Sequence, residues 1–100
     1  MAKVIWSKVA IDDIRSIYDF IAKDSADRAA LFIERLIEAT DRLEDFPYSG
    51  RIIEEIGRDD CREIVYGSYR IMYEIREDTV LISAIVHSAR DWSPTKPPES

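Results

Sequence analysis

From Cys61 to His87 the chain reads CREIVYGSYRIMYEIREDTVLISAIVH, three runs of alternating character broken at Gly67-Ser68 and Glu77-Asp78. A period of two suits strands and nothing else. The stretch therefore predicts consecutive antiparallel strands at about Cys61–Tyr66, Tyr69–Ile75 and Thr79–His87. Gly67-Ser68 fits a two-residue hairpin turn, whereas Glu77-Asp78 is a poorer one. A meander of this kind has one apolar face that another layer must cover, and this requirement constrains the rest of the fold.

The preceding half of the chain can supply the cover. Ser7 suits an N-cap, and Ala10, Ile14, Ile17, Tyr18 and Ile21 follow at helical spacing, predicting a first helix from about Lys8 to Ala22. After Lys23-Asp24, Ser25 suits a second cap. Ala29, Phe32, Ile33, Leu36, Ile37, Thr40 and Leu43 form an inner stripe that predicts a helix running on until Pro47 ends it. So short a link makes the two helices an antiparallel hairpin. Lys3–Ser7 reads as a short first strand. Pro47–Asp60 reads as a loop, with an extended stretch at Ile52–Ile56. The expected fold is α+β in the order β-α-α-β-β-β, a helical hairpin on one face of a mainly antiparallel sheet. Residues 1–92 are expected to form one domain. Ser93–Ser100, with three prolines and no apolar anchor, is expected to be a mobile tail.

With two residues in each turn, strict alternation fixes the faces. Tyr66 faces Tyr69, Ile64 faces Ile71, and Arg62 faces Tyr73. Ile75 faces Val80, Tyr73 faces Ile82, Ile71 faces Ala84, and Tyr69 faces Val86. This side is nearly all apolar and should lie against the helices, with Arg62 at its rim. The opposite side holds Cys61, Glu63, Val65, Arg70, Met72, Glu74, Leu81, Ser83, Ile85 and His87, with Glu63 and Arg70 diagonal neighbours. Val65, Met72, Leu81 and Ile85 form an apolar strip there. Two accounts of it stand open: a partner site, or a surface covered by the C-terminal tail or by the Pro47–Asp60 loop. Val9, Phe20 and Leu31 lie outside the inner stripes of the helices; either the hairpin is buried on more than one side, or they line a groove for a partner helix.

Charge narrows the function. The net charge is −6, and between Arg51 and Arg76 five arginines face six carboxylates. A nucleic-acid binder usually carries a basic footprint, so direct nucleic-acid binding is not expected. No apolar run approaches the ~18 residues of a membrane span, and MAKVIWSKVA lacks the apolar core of a signal peptide. The cytoplasm is the expected compartment, with no membrane role. One cysteine, Cys61, and one histidine, His87, give no metal-ligand spacing. No cofactor is expected.

The chain resembles the ParE/RelE superfamily of small bacterial toxins from type II toxin–antitoxin operons, over roughly Val4 to Arg90. The resemblance rests on the element order, on FPYSGR (Phe46–Arg51), on CREIVYGSYRIMYEI (Cys61–Ile75) and on VLISAIVHSAR (Val80–Arg90). It is strongest to the ParE branch, the plasmid-stabilisation-type toxins. That branch implies inhibition of DNA gyrase, through its A subunit, by binding rather than enzymatic chemistry. It also implies a ParD-like antitoxin that forms a hetero-oligomer with the toxin. The RelE branch implies ribosome-dependent mRNA cleavage, which needs cations on the middle strands to stabilise the phosphorane. Here Glu63 and Val65 stand where that branch carries lysines, leaving Arg70 and Arg90. A diverged, non-toxic member that still binds its antitoxin is a third reading.

The candidate partner-binding residues are Arg51, Glu63, Arg70, Met72, Ile85, His87, Arg90 and Trp92, and no catalytic residue is assigned. Four of them have a structural alternative. Arg70 can be a cross-strand partner of Glu63, and Arg51 can cap the carbonyl end of the second helix. His87, lacking a second ligand or a nucleophile, suits structural hydrogen bonding better than chemistry. Trp92 can cover the helix-free face or anchor a partner.

Overall fold

The computed structural model describes residues 1–89. β1 (Lys3–Trp6) leads into α1 (Lys8–Ala22) and α2 (Ala26–Glu38), and the chain then returns through β2 (Arg51–Ile52), β3 (Cys61–Tyr66), β4 (Tyr69–Arg76) and β5 (Thr79–His87). The five strands form one sheet in the order β1-β5-β4-β3-β2, antiparallel throughout except for the parallel β1–β5 pair. The helical hairpin covers one face, as the meander required.

Both predicted caps form. Ser7 Oγ accepts from the Ala10 N–H at 3.0 Å, and Ser25 Oγ accepts from the Arg28 N–H at 3.2 Å. Each satisfies one of the donors left over at a helix start. Ala10 and Ile17 of α1 and Ala29 and Leu36 of α2 are buried on the side of the sheet that carries Ile64, Ile71, Tyr73, Ile75, Val80 and Ile82. At ~25 cal/mol per Å² of apolar surface, this layer is the main folding term.

α2 stops well short of Pro47. Its last residue is Glu38, and a separate 3₁₀ turn spans Asp41–Glu44. The Thr40 hydroxyl donates to the Ile37 carbonyl at 2.7 Å and the Thr40 N–H bonds the same oxygen. These three-residue closures tighten the backbone and break the α ladder. Leu43 is still fully buried, so its place in the stripe is a core position carried by a different backbone, whereas Ile37 of the same stripe is exposed.

The Gly67-Ser68 turn forms with Gly67 at φ 57°, the positive φ a primed hairpin turn requires. Glu77 adopts φ 49° in the second turn, a conformation a non-glycine residue enters at a cost of about 1–2 kcal/mol.

The β3–β4 register is the expected one, Tyr66↔Tyr69 through Cys61↔Glu74. The β4–β5 register matches at Ile75↔Val80 and Tyr73↔Ile82 and then slips, with Met72 opposite Ala84, Ile71 opposite Ile85, and Tyr69 opposite His87. Ser83 is the extra residue of a bulge. Beyond a bulge every side chain changes face. The assignment of Ile85 and His87 to the helix-free face, and of Ala84 and Val86 to the helix face, is therefore reversed. Ile85 joins the main core, and His87 stacks edge-on against Tyr69 with centroids 5.2 Å apart.

β1 is much shorter than β5 and leaves the far half of β5 without a neighbouring strand on that edge. α1 fills the gap. The Ser7 hydroxyl donates to the Ser83 carbonyl at 3.1 Å, and Asp13 Oδ2 accepts from the Ile85 N–H at 2.8 Å.

Candidate functional site

The helix-free face carries no exposed apolar strip. Met72 is 1% exposed, and with Cys61 and Val86 it is buried beneath Ile53, while Ile56 and Ala84 pack at the margin. Of the two accounts left open by the sequence, cover by the Pro47–Asp60 loop is the one realised. Val65 remains exposed, Leu81 is half-buried, and Ile85 lies on the other face.

Beside this small cluster the loop and the sheet build a polar network. Glu63, 3% exposed, stands opposite Arg51 on β2 and diagonal to Arg70 on β4. Its Oε2 accepts from Arg51 Nε and its Oε1 from Arg70 Nε, both at 2.7 Å. Arg70 then turns its other nitrogens to Glu55 in the loop, Nη1 to Oε2 at 2.9 Å and Nη2 to Oε1 at 2.8 Å, a two-pronged carboxylate pair. The side chain of Arg70 is only 11% exposed. Glu55 and Glu63 hold its guanidinium even more firmly protonated than an ordinary arginine. Glu54 and Ser88 complete the rim of this open cleft.

Arg70 in turn holds the Glu55 carboxyl down to about 2, chiefly through these hydrogen bonds. A carboxylate depressed in the folded state adds stability that is complete above its ordinary value of 4.5 and is lost as the pH falls toward 2. Glu55→Gln should therefore flatten the acid limb of stability between those two values. Urea midpoints measured against pH for both proteins check this, and parallel acid limbs would refute it.

Other cations of the sheet are also engaged. Arg62 donates to the Tyr48 and Gly50 carbonyls at 3.2 and 3.0 Å and pairs with Asp59 at 2.6 Å, so it ties the FPYSGR segment to β3. Arg76 bonds Glu74, and Arg58 bonds Asp60. Tyr73 reaches through the core to the same segment, donating to the Pro47 carbonyl at 2.7 Å and accepting from the Gly50 N–H at 3.0 Å. Burial pushes its phenol up.

Arg51, Glu63, Arg70 and Met72 are thus brought together, with Glu63 and Met72 enclosed. Arg51 serves Glu63 and not the end of α2. His87 is exposed at the opposite face, where its Nδ1 accepts from the Ala89 N–H at 3.1 Å. Arg90, Trp92 and the expected tail at Ser93–Ser100 lie outside the described residues. The sequence did not single out Glu55 or Asp13. Glu55 sits in a loop whose path no local pattern fixes, and the only hint was Ile53 and Ile56 flanking it in an otherwise polar stretch. Among the described residues no His, Cys, Asp or Glu cluster is arranged to hold a metal ion, and no described helix is long and apolar enough to cross a membrane.

Residues 4–92 match the family model described as the ParE toxin of type II toxin–antitoxin system, parDE. The chain belongs to the ParE toxin family. This ParE-family chain is 33% identical over 90 residues to Toxin RelE2 of Caulobacter vibrioides, covering 90% of its own length and 99% of the relative's. Its fold is similar to a chain of the chromosomal ParDE system from P. aeruginosa, with TM-score 0.72 at 17% identity, covering 87% of this chain and 96% of that one. It is also similar to a chain of the toxin–antitoxin complex RelBE2 from Mycobacterium tuberculosis, with TM-score 0.55 at 21% identity, covering 86% and 96%. The ParE-family chain is the toxin of a type II toxin–antitoxin system.

Proposed function

We propose that this toxin acts in the cytoplasm by binding DNA gyrase, through the A subunit, and that a ParD-like antitoxin neutralises it in a hetero-oligomer. The observation that carries a binding mode over a nuclease mode is the state of Arg70. RNA cleavage needs an uncommitted cation to take up the charge of a pentacoordinate phosphorus. Arg70 instead lies between two carboxylates, and the cleft around it holds Glu54, Glu55 and Glu63 against Arg51 and Arg70. A phosphate entering there meets net negative charge. A protein surface needs no phosphate neutralisation, and an acidic toxin suits it.

The antitoxin contact is supported by apolar residues of α1 and α2 left exposed where the helices meet the sheet. Phe20 is 69% exposed and borders a groove with Ile17, Tyr69 and Ile85, and Leu31 is exposed beside Ile21 and Phe32. An amphipathic helix fits such a surface. On the target side we place Arg51, which is exposed, together with the segment after β5. The toxin unit is residues 1–92.

Supercoiling and DNA-cleavage assays with purified toxin and gyrase test the proposal. Loss of supercoiling with accumulation of cleaved DNA is the expected result, reversed by the antitoxin. Normal turnover at high toxin excess would refute it. Messenger-RNA cleavage is the second reading, favoured by the RelE name of the Caulobacter relative. Primer extension on translated message would show discrete cuts under that reading and none under ours.

A further inference from the structure

The loop over the helix-free face is attached quite differently from the helical layer. Between Ile53 and Asp60 it is held to the sheet by few fixed points. The Ile53 N–H bonds the Cys61 carbonyl at 3.0 Å, and the Ile75 N–H bonds the Asp60 carbonyl at 2.8 Å. Arg70 grips Glu55, Arg62 of β3 holds the Asp59 carbonyl at 2.9 Å and its carboxylate at 2.6 Å, and Arg58 reaches Glu74 at 3.7 Å. Its apolar contribution is Ile53, with Ile56 at the margin, over Cys61, Met72 and Val86. Gly57 at φ 74° closes a turn back onto the Ile53 carbonyl, so the segment is a compact unit in itself. The main core lies on the other side of the sheet and shares none of these buried residues.

We propose that Ile53–Asp60 is a latched flap, which opens as a unit while the helix-covered core stays folded, and that the Arg70–Glu55 pair is its latch. Sub-global openings follow such boundaries, where one small cluster and a few bonds separate a segment from the rest. Opening uncovers Cys61, Met72 and Val86 and releases one side of the Arg70 guanidinium.

Cys61 is the built-in reporter. It is buried directly under the flap, and no other cysteine competes for a label. Its thiol is labelled with a maleimide in the full-length protein under native conditions, with urea added in steps well below the unfolding transition. A flap gives labelling far slower than a free thiol, with a rate nearly independent of low urea because little surface is exposed. Glu55→Gln, which removes the charged latch, should raise the rate about tenfold. Leu36→Ala, which cuts a cavity in the core on the other side, should leave it within about twofold while lowering the global unfolding midpoint. Three results would overturn the proposal: labelling with the full urea dependence of global unfolding, a rate that rises with Leu36→Ala in proportion to lost stability, or labelling as fast as a free thiol. All are independent of whether gyrase is the target.

Discussion

Glu63→Ala should lower the stability of the folded chain by about 3 kcal/mol, measured as the shift in urea or guanidinium midpoint at constant slope. Two guanidiniums depend on this one carboxylate. Arg51 loses little when released, since it is largely exposed and regains water. Arg70 cannot do the same. It is held in the protein, where Glu55 still grips the outer end of its fork. The loss is therefore placed below the upper end of about 5 kcal/mol found for a fully orphaned buried charge. Glu63→Gln should recover only part of it, because the amide offers one acceptor oxygen to two guanidiniums and turns an N–H₂ donor to the other. The companion Glu63→Met/Arg70→Met should lose less than Glu63→Ala, because removing both charges leaves neither one buried without the other. A single-variant loss under about 1 kcal/mol would mean that water already serves Arg70.

Gly50→Ala is the second large effect, expected at about 2–4 kcal/mol. Gly50 has an ordinary negative φ, so the requirement for glycine is one of space. An added Cβ would sit 2.6 Å from the Glu63 backbone oxygen and 2.5 Å from the Tyr73 hydroxyl. A side-chain tip can turn away, but a ladder carbonyl cannot. The methyl must therefore push β2 off β3, weakening the Gly50–Tyr73 hydrogen bond and the Arg51–Glu63 pairing together. Tyr73→Phe should cost about 1–3 kcal/mol, leaving the Pro47 carbonyl and Gly50 N–H without their partner. The two substitutions combined should cost less than their sum, because loss of the Tyr73 hydroxyl removes one of the two clashes. Strict additivity, or a Gly50→Ala loss below about 1 kcal/mol, would show that the approach of β2 to β3 is loose.

These two residues also mark how far the sequence could be read. The helical hairpin, the β3–β4 pairing and the Glu63–Arg70 contact follow from periodicity and one short turn, and all form, although α2 ends at Glu38 and not at Pro47. Gly50 carried no such signal, because a glycine kept for close approach is indistinguishable in sequence from one kept for a turn. The parity of β5 failed at one residue. Ser83 fits an outward position in an alternating strand as comfortably as it fits a bulge. The better signal lay around it, where Val80, Leu81, Ile82, Ala84, Ile85 and Val86 are apolar almost without interruption, a pattern of burial on both faces. Glu55 was beyond local reading, since its role depends on where a loop of no clear period comes to rest.

The Asp13–Ile85 contact has a bearing on solubility. A half-vacant strand edge is normally an invitation for another chain to add on. Here the inviting amide of Ile85 is already taken by a charged group mounted on a helix, just beyond the end of β1. A sixth strand could join at this place only by evicting that carboxylate, which keeps neighbouring copies from stacking edge to edge along β5.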